Sequence, residues 1–289
     1  MGTSLRNLVN KGDLKKMKRF FAALTLLALL ISGCSRQTAQ PTTEPETTQS
    51  QTETTAAPTT EPTTAPTSEA TTEPPETEPP APVYHSGLRE DGSFSSGTLF
   101  IGDSETYLFL NQYLILNDLL GDAHYTAQCG SQLTVYFDES IRMLESNKQV
   151  TIFSPEFEGM TFREAAAALG EEATAIYLMW GTNFTPNATA ESYVEIVDDL
   201  LQVCPNATIH LQTIPNGDTN IVAPNTVNKR ITGAWEHYQE IGEPRVYLVD
   251  TFNGIGKHVV SDGVHLSATG LANWYQTLLD HAELYGLSE

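Results

Sequence analysis

Three cysteines in 289 residues are too few to staple a fold together, so the chain must rest on a hydrophobic core rather than a disulfide frame. Positive charge is also short: 15 Lys and Arg stand against 36 Asp and Glu, a formal net charge of −21. A surface this acidic is repelled by nucleic-acid phosphates and anionic lipid heads, which excludes a nucleic-acid role. No apolar run reaches the roughly 20 residues that a membrane-spanning helix needs. The phosphate-cradling P-loop, the Gly-x-Gly-x-x-Gly fingerprint and the His-Glu-x-x-His zinc pattern are all missing. No His/Cys cluster has metal-ligand spacing either.

What is present divides into three segments. Residues 1–33 hold six basic side chains and one acid, residues 35–82 hold Arg36 and eight Glu, and the remainder from Val83 carries a net −19. Lys15-Lys16-Met17-Lys18-Arg19 precede a nearly apolar run, Phe20 to Ile31, and a basic flank before so short a run reads as a secretory signal. The run ends in Leu30-Ile31-Ser32-Gly33-Cys34, which resembles the lipobox of bacterial lipoproteins. That resemblance implies lipidation of the Cys34 thiol, and multiple acyl chains anchor stably where one is marginal. From Ser35 to Pro82 there is no Val, Ile, Leu, Met, Phe, Tyr or Trp, and Thr, Pro and Glu fill 34 of 48 positions. Nothing there offsets the entropy of ordering, so a disordered, extended tether is expected over 34–83, with one folded domain over 84–289.

In that domain short apolar runs alternate with amphipathic ones. Strands are expected at Thr98–Ile101, Ala123–Gln128, Ala175–Trp180, Thr208–Thr213 and Arg245–Asp250. Helices are expected at Glu105–Leu120, from the Thr161-x-x-Glu164 capping box to Leu169, and at Ala190–Val203, Thr226–Ile241 and Ala268–Leu284. Strand–helix alternation of this kind calls for an α/β fold, a five-stranded parallel sheet covered on both faces. Sites in such sheets lie beyond the carboxyl ends of the strands. Cys129 would then follow one strand's end and Cys204 precede another's start, at opposite edges, farther apart than the roughly 7 Å a disulfide tolerates.

Chemistry collects at those strand ends. Gly102-Asp103-Ser104 sets a hydroxyl where the first strand enters a helix; Gln128-Cys129-Gly130-Ser131 follows the second strand and Gly181-Thr182-Asn183 the third. Near the C-terminus, Asp262-Gly263-Val264-His265 spaces a carboxylate to reach an imidazole Nδ1–H, leaving Nε2 to take a proton from a serine.

Taken together these residues resemble the SGNH-hydrolase superfamily, also called GDSL-type esterases, over roughly Gly97 to Glu289. The resemblance implies a flavodoxin-like three-layer α/β/α fold, no metal or other cofactor, and a Ser104–His265–Asp262 triad. It gives the oxyanion hole to the Ser104 N–H, the Asn183 amide and a glycine that falls on Gly130, with Gly121 as the alternative. The family's Gly-x-Asn-Asp pattern is broken where Phe184 replaces the last Asp. The expected protein is therefore a monomeric serine esterase, lipid-anchored on the extracellular face of the cell membrane and reaching into the wall. Its expected partner is an acylated carbohydrate, most simply an acetyl ester, or another small ester. A lipase-like acylhydrolase and a silent glycan-binding module are the alternatives.

Overall fold

The apolar runs read as strands do form one sheet in the computed structural model, which describes residues 84–183, 185–215, 224–258 and 262–286. The secretory run, Cys34, the Thr/Pro/Glu segment, Phe184 and Ser261 lie outside the described residues. Strands β1 (Thr98–Gly102), β2 (His124–Gln128), β4 (Ala175–Met179), β5 (Thr208–Gln212) and β6 (Val246–Val249) are mutually parallel. The sheet has six strands rather than the expected five, because β3 (Thr151–Phe153) pairs antiparallel with β2 at one edge. Three residues are too few for a periodicity to be read, so this strand had no signature of its own.

Across the sheet the order is β3-β2-β1-β4-β5-β6. After β1 the chain first builds outward through β2 and then returns to the other side at β4, so the β1–β4 boundary is the topological switch point where α/β sheets open a crevice. Every residue of β1, β4 and β5 is buried, as central strands covered on both faces should be. Each buried Leu, Ile or Phe of these strands contributes about 1.5–3 kcal/mol of transfer free energy.

The helices are α1 (Ser104–Leu108), α2 (Phe162–Leu169), α3 (Ala190–Val203), α4 (Pro224–Ile241), α5 (Thr251–Ile255) and α6 (Ala268–Tyr285). The Thr161–Glu164 capping box opens α2 as expected, with both reciprocal bonds formed. The helix expected over Glu105–Leu120 is instead one α-helical turn that widens into a π-helical stretch, Phe109–Leu114. Phe109 there stacks on Trp274 of α6 at 4.4 Å between ring centroids. Six residues are little more than one turn of the wider helix, too few for its period to show in the apolar spacing. Cys204 is buried with its thiol donating to the Ala166 carbonyl, and it is not bonded to Cys129.

The two faces of the sheet differ in kind. Phe100, Tyr177, His210 and Tyr247 occupy one register row of β1, β4, β5 and β6. Their rings stack in sequence at 5.0, 4.4 and 6.0 Å. Residues one step along each strand, such as Leu99, Ile176 and Ile209, face the other way and are aliphatic. His210 thus is a sheet residue, as its position in a strand implied; its Nε2–H donates to the His85 carbonyl at 3.1 Å.

Burial holds His210 down at about 3, with His281 adding to the effect, and burial alone holds His281 at about 4, against an ordinary 6.5. His281 is faced by His210, Tyr247 and Tyr285. Both imidazoles stay neutral in the fold while the unfolded chain binds protons below about pH 6.5. The folded state therefore holds fewer protons in this window, and stability falls as pH drops from 6.5 toward 4. Replacing His281 with Phe should flatten the pH dependence of the thermal midpoint between those values; an unchanged slope would count against this origin.

Candidate active site

The cleft begins with a contact between backbones. A side chain at Gly102, the last residue of β1, would strike the Met179 carbonyl of β4 and the Thr106 hydroxyl. Only glycine lets the two strands leave the sheet this close together. Asp103 comes next, fully buried, as the N-cap of α1, with Oδ1 accepting the Glu105 N–H at 3.1 Å. Its Oδ2 accepts two N–H groups from the β4 exit, Gly181 at 3.2 Å and Thr182 at 3.0 Å. Burial pushes this carboxyl up while the three N–H donors pull it back, leaving it above its ordinary value.

Ser104 follows as the first residue of α1, with 6% of its surface exposed. From the far end of the domain, His265 brings Nε2 to 3.1 Å from Ser104 Oγ. On its other side, His265 Nδ1 lies 2.7 Å from Asp262 Oδ2. Asp262 Oδ1 accepts the N–H groups of Val264 and His265 at 2.9 and 3.1 Å, which locks the turn. Partial burial raises the Asp262 carboxyl, but its hydrogen bonds to the His265 ring and to these amides outweigh that and hold it below the usual carboxylate range. The imidazole therefore has an anionic partner at Nδ1 and a hydroxyl at Nε2, so it can accept the hydroxyl proton while its positive form is stabilised.

Two further residues named from the sequence lie at the same edge. Gly181 has φ +142, and a Cβ there would sit 2.6 Å from Val227 Cγ1, so the turn that carries Asn183 requires glycine. The Asn183 Nδ2 is buried and has no hydrogen-bond partner among the described residues. An amide kept from water without an acceptor costs about 1–3 kcal/mol, a deficit that an arriving oxyanion would remove. Gly130 follows β2 at this carboxyl edge and is exposed. Its neighbour Ser131 receives the Trp180 indole N–H at 2.9 Å and donates to the Gln128 carbonyl at 2.8 Å, tying the β2 exit to the β4 exit. Gly121, the alternative, precedes β2 at the opposite edge and packs against the Phe94 backbone.

The residues that hold this cleft were less visible in the sequence than those that open onto it. Within Gly102-Asp103-Ser104 nothing local marks Asp103 as the residue that joins two strand exits. The Ser131–Trp180 bond spans 49 positions and leaves no local pattern. Glu105, which the sequence places only as the start of a helix, is 1% exposed, and its Oε2 accepts the Leu266 N–H at 3.3 Å.

No protein-family profile and no curated protein matches the chain. Solved structures are similar to it over about two thirds of its length. One is a member of the lipolytic protein G-D-S-L family from Veillonella parvula: 13% identity, 63% of this chain, 96% of that one, TM-score 0.42. Another is a family two carbohydrate esterase from Clostridium thermocellum in complex with cellohexaose: 15% identity, 65% of this chain, 64% of that one, TM-score 0.45. A third is a carbohydrate esterase family 3 protein from Talaromyces cellulolyticus: 16% identity, 65% of this chain, 96% of that one, TM-score 0.38. Identity this low leaves function to be argued from the site itself.

The three N–H groups on Asp103 give a direct test of the joint. Asp103→Asn puts an NH2 where one carboxylate oxygen accepted, so at least one buried N–H loses its partner. The expected loss is about 1–3 kcal/mol of unfolding free energy in urea titration. Unaltered stability would mean that the carboxylate does not join the two strand exits.

Proposed function

We propose that the chain is a serine esterase working by acyl transfer, and the observation that carries this reading is the unbroken relay from Asp262 through His265 to Ser104. Ser104 Oγ attacks an ester carbonyl carbon while His265 Nε2 takes its proton. Asp262 holds the resulting imidazolium through Nδ1–H. The bond to the alcohol then breaks, its oxygen taking the proton back from Nε2. Water enters, gives its proton to the same nitrogen and attacks the acyl-enzyme, releasing the acid and restoring the Ser104 hydroxyl. The oxyanion of each step falls to the Asn183 amide and to the N–H groups of Ser104 and Gly130. The unpartnered Asn183 Nδ2 supports that assignment, since a donor set in place beforehand needs no reorganisation when charge develops.

The substrate belonging to this reading is a short acyl group, acetyl first, esterified to a neutral or cationic carbohydrate. A net −19 over the segment from Val83 disfavours anionic lipid surfaces. Lipidation at Cys34 and the Thr/Pro/Glu tether fit a monomer held outside the cell membrane, where such glycans are met.

Ser104→Ala or His265→Ala should abolish nearly all ester hydrolysis with the fold intact by circular dichroism. Asn183→Ala should cost less, on the order of 10²–10³ in kcat, as expected for one oxyanion donor. In a p-nitrophenyl ester series the parent should peak at short acyl chains and release acetate from an acetylated glycan. Full activity in Ser104→Ala would end the serine reading, and a peak at long chains would favour a lipase.

The anchor is tested separately. Cys34→Ser should move the protein from the membrane fraction to the medium; a variant as membrane-bound as the parent would make the Phe20–Ile31 run itself the anchor.

A further inference from the structure

A carboxyl beside the nucleophile has no part in the acyl transfer just described. Glu105 follows Ser104 directly and is as buried as a core leucine, with 1% of its surface exposed. Its Oε2 accepts the Leu266 N–H at 3.3 Å, while its Oε1 is buried and has no hydrogen-bond partner among the described residues. A carboxylate anion enclosed with one oxygen unmet would carry a desolvation cost of several kcal/mol. Burial first, and then the charges of Asp103 and Asp262, raise this carboxyl well above its ordinary value. The group that fits the enclosure is the neutral acid, with its carbonyl oxygen receiving the Leu266 N–H.

The connectivity of this hydrogen bond gives it a consequence. Ser104 and Glu105 are adjacent, and so are His265 and Leu266. The Ser104–His265 and Glu105–Leu266 bonds therefore close a ring of four residues across 161 positions of sequence. Among the described residues the other hydrogen bonds of this turn run from Val264 and His265 to Asp262, from Ser267 to the His258 carbonyl and from Gly270 to Ser267, none of them to β1 or α1. Leu266 adds a buried side chain, 3% exposed, but dispersion contacts are not directional. The Asp262 bond fixes the ring within its own turn, so the Ser104–His265 bond alone would let turn and ring pivot together about Ser104; a second bond one residue away restrains that motion.

Resting on the esterase reading, we propose that Glu105 is a positioning residue: by accepting the Leu266 N–H it sets the distance and orientation of His265 relative to Ser104. It touches no reacting atom, and what it supplies is an acceptor rather than a charge.

Two variants separate these roles. Glu105→Gln keeps a carbonyl acceptor on a side chain of the same shape. Glu105→Met keeps the length and removes the acceptor. With p-nitrophenyl acetate, Glu105→Met should lower kcat by about 10–10²-fold while KM stays within about threefold, the signature of a misplaced catalytic group. Glu105→Gln should keep kcat within about threefold of the parent and leave the pH–rate profile of kcat/KM in place. A Glu105→Met protein as active as the parent overturns the proposal. So does a Glu105→Gln protein as impaired as the Met variant, or one whose profile moves along the pH axis, because the charge would then be what matters to His265 and Asp262. Should Glu105→Met not fold, the Gln variant decides alone, a tenfold loss of kcat overturning the proposal and full kcat with an unmoved profile supporting it. A parent that hydrolyses no ester and resists a serine-directed phosphonate overturns the esterase reading and this proposal together. An active parent with an unaffected Met variant overturns this proposal alone.

Discussion

Asp103 lies without solvent contact where β1 and β4 leave the sheet, and its two oxygens receive backbone N–H groups from both exits. One oxygen caps the helix that starts with Ser104, and the other holds the turn that carries Asn183. A hydroxyl and an amide 79 positions apart in the sequence are thereby referred to a single carboxylate. The close approach at Gly102 makes this possible, since any side chain there would push β4 away. The switch point of the sheet supplies a crevice, and Asp103 fixes the dimensions of its floor.

Much of the architecture was legible because strands and helices of a doubly wound sheet carry opposite periodicities. Ala190–Val203 came out with the expected ends, and the Thr161 capping box formed as its spacing implied. What escaped was short or non-local. Thr151–Phe153 has too few residues for a pattern, and α5 spans only Thr251–Ile255. The wide stretch Phe109–Leu114 begins with Phe109, which stacks on Trp274, a residue far along the chain that no window around Phe109 contains.

The same division runs through the site. Ser104, Asp262 and His265 could be named because their chemistry imposes residue types and, for the last two, a fixed spacing. Asn183 could be named because it follows the end of a strand and completes, with Gly181, the Gly-x-Asn pattern of the resemblance. Asp103, Ser131 and Glu105 act by holding other parts of the backbone, and an acceptor for a distant N–H has no spacing rule. Their burial carries the information, and burial of a polar side chain is the property a single sequence conceals best. Gly130 stands between these cases: its edge of the sheet follows from β2, while its neighbourhood depends on the Ser131–Trp180 bond.

The 161 positions between Ser104 and His265 also have a meaning in time. A chain is made N-terminus first, so the serine and the strand that presents it exist well before the imidazole does. Until the turn at Asp262–His265 has emerged and docked, the Ser104 hydroxyl lacks the imidazole that faces it in the folded domain. The turn runs straight into α6, so the site takes its final form only when the C-terminal part of the domain has been made. A chain interrupted before Asp262 would carry Ser104 without the imidazole and carboxylate that face it in the folded domain.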